Sequence, residues 1–239
     1  MNIQNYNTKL KILYWSVACI ALLPRLFFIF YAPTGGGDWI IYSTVAENIL
    51  SGCGVSLSTP ESGECIPHFG GNQGPGYPAF VALIWWLSEH SDIAVRVVQA
   101  VLGVIAIIYM VRSILLYSSS FKAAVVVGLV LALSPLEVAW PRYLQTETLA
   151  LAGTLWVFSE LLISLHESRI RTFSLSVALI ITTFIRLDAI LLVAPIAVTM
   201  FMIYKPSQAI KKGLIVAVLI SLPWGGWLVR NHMVGMNNI

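Results

Sequence analysis

Charge is scarce in this sequence. Only 10% of its residues are Asp, Glu, Lys or Arg, where a soluble domain carries about 25%. With 58% hydrophobic residues and a mean hydropathy of +0.82, that shortage excludes an ordinary soluble domain and places most of the chain in lipid. There is no P-loop, and the scattered glycines do not form a strand-to-helix dinucleotide fingerprint, so a soluble-nucleotide enzyme is disfavoured. The three cysteines and four histidines do not make a Cys/His metal array. Internal repeats and low-complexity tracts are also missing, and no nucleic-acid partner is expected.

What is present is a series of apolar stretches. They lie near 12–31, 93–115, 121–139, 148–165, 172–187, 188–204 and 213–229. The fold class expected is an all-α polytopic membrane protein of about seven spans, at about 20 residues each. Residues 1–239 form one membrane-embedded module with a long loop at 33–92 and no soluble domain. The first stretch is no secretory signal, because only four residues separate Lys11 from Ser16, too short for an apolar signal core. A further apolar run, Tyr77 to Trp86, is ten residues long. As a helix it covers about 15 Å, half the hydrocarbon thickness, and reads as interfacial or re-entrant.

Basic residues set the direction. If the Tyr77–Trp86 run does not span, Lys9, Lys11, Arg112, Lys122, Arg169, Arg171, Lys205, Lys211 and Lys212 share one side, nine of the 14 basic residues. The positive-inside rule makes that side cytoplasmic, with the N-terminus inside. The chain between Arg171 and Lys205 must then go up and return, turning near Arg186-Leu187-Asp188. Each arm is about 24 Å long, so the turn sits below the membrane surface, which is tolerable only inside protein or a wet cavity.

This topology gathers Arg25, Arg96, Arg142, Arg186 and Arg230 near the outer face, with nine of the 11 acidic residues. Ionisable groups near a bilayer are costly and carry a partner or a task. Asp38 follows three glycines and precedes a helical pattern closed by Gly52 and Gly54. It is either the N-cap of that helix or a carboxylate base at the mouth of the bundle. Glu147 opens the fourth span, where it suits the helix dipole or faces Asp38 as a second carboxylate. Arg142, Arg186 and Arg230 are each candidates for a forked phosphate contact or for pairing with Glu137, Glu147 or Asp188. His68, beside Asn72 and Gln73, is a polar loop residue with a smaller claim on the site. Glu160 reads as a snorkelling or paired residue. Cys53 and Cys65 share the long loop, where an oxidising compartment would allow a disulfide. Cys19 reads as a small core residue.

Five motifs in order carry a resemblance: PRLFFIFY, then GDWIIYSTVAENILSGCG, GPGYPAFVALIWWL with IAVRVVQAVLGV, ALSPLEVAWPRYLQTETLA, and LPWGGWLVRNHMVG. The chain resembles the membrane-embedded glycosyltransferases of the C-type fold, in the protein-mannosyltransferase and aminoarabinose-transferase branch with its bacterial polysaccharide relatives. The resemblance implies that Asp38 is the catalytic base or metal-site carboxylate and Glu147 its active-site partner. It implies a substrate site drawn from Tyr42, His68, Arg96, Arg142, Arg186, Asp188 and Arg230. The partners implied are a polyprenyl-phosphate-sugar lipid, membrane lipids and an acceptor glycan, lipid or protein, at the outer face of a bacterial inner membrane. No cofactor is certain; a divalent cation is left open, and Trp39 stands where many relatives carry an acidic residue, which weakens it. Relatives continue past the seventh span, so the chain is expected to hold the family's N-terminal module, with a partner subunit as one way of completing it. Three functions are weighed: an inverting lipid-phosphate-sugar transferase, a lipid-linked sugar transporter, and a non-catalytic module that binds polyprenyl phosphate. A transporter should place polar groups near the midplane in repeated halves, and here they collect at one face.

Overall fold

The computed structural model describes residues 3–33, 37–57, 65 and 74–233. Its elements are α1 (Ile3–Tyr31), α2 (Trp39–Leu50), α3 (Gly76–Ser88), α4 (Asp92–Ser118), α5 (Phe121–Leu133), α6 (Pro135–Ala139), a 3₁₀ turn at Trp140–Arg142, α7 (Glu147–Glu167), α8 (Thr172–Ile185), a 3₁₀ segment at Leu187–Leu192, α9 (Val193–Ile203) and α10 (Pro206–Met233). Among the described residues there is no strand beyond isolated bridge positions at Ser56 and Arg186. The all-α polytopic membrane architecture expected from hydropathy is present.

The span count needs correction. Four helices are long and apolar enough to cross a membrane: Asn7–Tyr31, Asp92–Ser118, Glu147–Glu167 and Pro206–Met233. A fifth exists only as a pair, because the run expected at 121–139 bends by 51° between α5 and the Pro135–Arg142 segment. The two arms expected on either side of Arg186 are present but short. α8 has 14 residues, about 21 Å of helix. The last span starts earlier than its apolar run suggests, because Pro206 suits the first turn of a helix.

α4 and α7 form the broadest helix contact. Around them lie three apolar clusters: one joins α1, α4, α5 and α7, a second α7 to α10, and a third α2, α3, α4 and the start of α7. α1 buries a single stripe, Leu13, Val17, Ala21, Arg25 and Ile29, and turns Trp15, Leu23 and Phe27 outward. Cys19 lies on that outward side, which corrects its reading as a core residue. Where every face of a helix is apolar, hydropathy does not say which one packs inward.

Arg25 is the exception in that stripe, 1% exposed. Its Nη1 donates to the carbonyls of Ala21 at 2.6 Å and Ala132 at 3.1 Å, and its Nη2 to that of Leu131 at 3.4 Å. The last carbonyls of α5 lack intrahelical partners. Pro135 worsens this, since it has no N–H to offer Leu131 four residues back. The guanidinium supplies the missing donors and so fixes the bend. At the opposite wall, Gly76 admits the start of α3 against α8. A Cβ there would stand 2.8 Å from the Phe184 carbonyl oxygen, and one on Gly74 would stand 1.9 Å from it.

Replacing Arg25 with Met should destabilise the protein by about 1–3 kcal/mol for each buried carbonyl left unbonded, read as a lower thermal midpoint in detergent. Adding Pro135→Ala should restore part of the loss by giving the Leu131 carbonyl an N–H. No rescue would mean that Arg25 acts otherwise than by capping α5.

Candidate functional site

The turn before α2 is glycine-bound for a physical reason. Gly37 has φ +75°, and a Cβ there would meet the Gln145 side-chain nitrogen at 2.1 Å. This close approach sets Asp38 beside the segment that leads into α7. Asp38 occupies the N-cap position of α2, but its side chain makes no capping bond, so the simple cap reading does not describe it. One turn on, Tyr42 is buried and its hydroxyl bonds with the Thr146 side chain. Burial raises the Tyr42 phenol above its ordinary range; the Thr146 bond opposes this, the nearby Asp38 and Glu147 carboxylates add to it, and Arg186 opposes it. Tyr42 therefore stays protonated near neutrality and remains a hydrogen-bond donor.

Tyr42 also meets Tyr77 edge to face, with ring centroids 4.9 Å apart. The Tyr77 hydroxyl donates to Gln99 Oε1 at 3.1 Å. Gln99 Nε2 in turn donates to the carbonyls of Pro141 at 2.8 Å and Tyr143 at 2.6 Å. This fully buried glutamine ties α3, α4 and the 140–143 segment together. Sequence reasoning passed over it. The available signal was an uncharged amide inside the apolar run of α4, which a buried position must satisfy.

Glu147 begins α7, and its Oε1 accepts from Arg186 Nη1 at 3.2 Å. Arg186 also grips Asp188 with a fork, Nε to Oδ1 at 3.2 Å and Nη2 to Oδ2 at 3.1 Å. The break between α8 and the next 3₁₀ segment thus presents a guanidinium shared by two carboxylates. Glu137, Trp140, Glu147, Arg186 and Asp188 line a cavity of about 540 Å³ together with apolar residues such as Leu192 and Pro195. Glu147 Oε2 is buried and has no hydrogen-bond partner among the described residues.

The remaining candidates divide. Arg142 lies over the rings of Tyr143, 4.4 Å from its centroid, and Phe28, 5.9 Å away, and donates to the Tyr143 hydroxyl. It makes no ion pair among the described residues, and its Nε is buried without a partner. Arg96 pairs instead with Asp92 one turn away on α4, at 3.6 Å. Arg230 donates to the Val55 carbonyl at 2.7 Å and stacks on Trp227. It fastens the end of α10 to the 33–92 loop and does not line the cavity. That loop is closed by a Cys53–Cys65 disulfide. His68 lies outside the described residues. Among those residues no group of three or more His, Cys, Asp or Glu side chains is placed to hold a metal ion.

A family model described as dolichyl-phosphate-mannose-protein mannosyltransferase matches residues 72–227. The chain belongs to that family. No curated protein and no solved structure matches the chain. As a member of the mannosyltransferase family it is a membrane glycosyltransferase in kind, with a lipid-linked sugar as the type of donor. The matched interval holds Arg96, Arg142, Glu147, Arg186 and Asp188. Asp38 and Tyr42 precede it, so what ties them to the site is contact with the 145–147 segment.

Glu147 and Arg186 are each about a third exposed. A double-mutant cycle with Glu147→Gln and Arg186→Gln should therefore give a coupling of no more than about 1 kcal/mol in unfolding experiments. A coupling of about 3 kcal/mol would mark the pair as a buried structural bridge instead.

Proposed function

We propose that the chain transfers a sugar from a polyprenyl-phosphate-sugar donor to an acceptor at the outer face of the membrane. Two polar atoms carry this reading: Glu147 Oε2 and Arg142 Nε, both buried without hydrogen-bond partners among the described residues. Such groups are rare in a finished protein interior. One is an acceptor at the cavity wall and the other a donor on the segment that continues that wall through Trp140. A ligand with both a hydroxyl-bearing sugar and a phosphate supplies the complement to each.

In this reading Asp38 takes the proton from the acceptor hydroxyl. The acceptor oxygen then bonds to the anomeric carbon from the face opposite the phosphate. The bond from that carbon to the phosphate oxygen breaks, and the phosphate leaves with the electron pair. Arg142, which has no carboxylate partner among the described residues, and Arg186 stabilise the departing charge. Glu147 orients Arg186 and the sugar, and Tyr42 donates a hydrogen bond within the site. The chain works as one membrane module in a bacterial inner membrane. Its N-terminus is cytoplasmic, and the Asp38 end faces out, as the basic residues at the other end support.

The test supplies a labelled polyprenyl-phosphate sugar to protein in nanodiscs. Asp38→Asn should lower transfer by at least about 100-fold, the usual scale for loss of a general base, with donor binding retained. Undiminished transfer would remove Asp38 from the chemistry. Donor binding without transfer by the wild type would make the chain a lipid-phosphate-binding module that needs a partner.

A further inference from the structure

A second polar cluster lies about 20 Å along α7 from Glu147. Glu160 is 1% exposed. Its Oε1 accepts from the hydroxyls of Tyr109 and Ser174, both at 2.7 Å, and from Trp156 Nε1 at 3.3 Å. Its Oε2 accepts from Arg171 Nη1 at 3.1 Å, and the same Nη1 reaches the Tyr109 hydroxyl at 3.3 Å. The cluster joins α4, α7 and the start of α8.

Tyr109 and Trp156 also wall an apolar groove of about 740 Å³ between α3, α4, α7 and α8. The groove opens sideways, since Ile105 and Ile181 on its wall are 55% and 44% exposed. It uses the face of α7 that carries Leu149, Ala152 and Trp156, opposite the face that carries Glu147, Leu151 and Thr154 toward the polar cavity. A bilayer-depth groove thus ends at an anchored guanidinium.

Arg171 is only partly engaged. Its Nε and Nη2 make no hydrogen bond among the described residues, and its side chain is 39% exposed. A guanidinium offers five donors in a rigid fork that matches phosphate oxygens. Glu160 already holds this fork at the groove's end, so little ordering is left for a ligand to impose. Arg169, and Arg112 about one turn beyond Tyr109 on α4, add positive charge at the same end.

We propose that Arg171 and this groove bind an anionic phospholipid of the adjacent leaflet, with its phosphodiester on the open guanidinium edge and one acyl chain in the groove. The naming of that leaflet as cytoplasmic, and the placing of the donor phosphate elsewhere, rest on the function proposed above. The apolar wall accepts any chain; the fixed and neighbouring cations select a net negative headgroup. The sugar donor has its phosphate at the opposite end of α7, so the two lipids occupy different sites.

The test is native mass spectrometry of the full chain released from nanodiscs holding equal phosphatidylglycerol and phosphatidylethanolamine. The wild type should retain phosphatidylglycerol about fivefold over the zwitterion, the scale expected for one cation at a membrane surface. Arg171→Lys keeps the charge and the pair with Glu160 but loses the free fork, so it should weaken retention of both lipids and leave a preference for phosphatidylglycerol. Ile105→Trp, made from the exposed side, should lower retention of both lipids. Glu160→Gln with Arg171→Gln leaves no buried charge unpaired; if its thermal midpoint shows it folded, it should lose the preference. Equal retention by the wild type, undiminished retention by Arg171→Lys, or a preference that survives in the double Gln variant would overturn the proposal. So would displacement of bound phosphatidylglycerol by polyprenyl phosphate, which would give the groove to the donor. Protein that selects phosphatidylglycerol yet transfers no sugar would leave this site standing and sink only the transfer reading.

Discussion

A backbone carbonyl freed in hydrocarbon must find a donor, and this fold frees several. Continuous helices satisfy that constraint internally. Here two of the crossings are interrupted, at Ser134–Pro135 and at Arg186. Arg25 reaches across from α1 to bond the stranded end of α5. Arg186 sits in extended backbone, and its N–H still closes α8 onto Thr182. The interruptions are what bring Glu137, Trp140, Arg186 and Asp188 to a shared cavity wall. A straight helix in either place would have carried these side chains past one another.

The charge balance of the cavity follows from that arrangement. Arg186 is already divided between Glu147 and Asp188, so a phosphate reaching it displaces a carboxylate or shares with one. Arg142 has no carboxylate partner among the described residues and is held by aromatic rings. The two arginines are therefore unequal. One is an oriented hinge between acidic groups, and the other stands over aromatic rings on the segment next to the cavity. Gln99 matters here because it fixes the carbonyls on both sides of Arg142, at Pro141 and Tyr143.

Much of this was legible from residue order. The glycine-led turn into Asp38, the short α3, and the break at Arg186–Asp188 all follow from helix length set against bilayer thickness and from glycine's freedom. The clustering of charge at one end followed from the basic residues alone. Other features had no local signal. The Ser134–Pro135 bend hides within an apolar window, because one proline hardly changes its mean hydropathy and serves equally well to begin a helix. The partners of Arg96 and Arg230 are settled by tertiary approach: Arg230 finds a backbone carbonyl at Val55, 175 residues away in sequence, which no pairing of opposite charges would suggest. Glu160 was legible as a snorkelling or paired residue, but the four groups that converge on it come from three elements.

The short arms around Arg186 bear on the membrane itself. α8 covers about 21 Å where the hydrocarbon measures about 30 Å. That deficit has to be taken up by the surroundings: by protein, as where the start of α3 lies against the Phe184 carbonyl, by an inlet of water, or by thinning of the lipid. In each case the charged side chains at the break lie deeper than the ends of the full-length spans, at a level that elsewhere belongs to acyl chains.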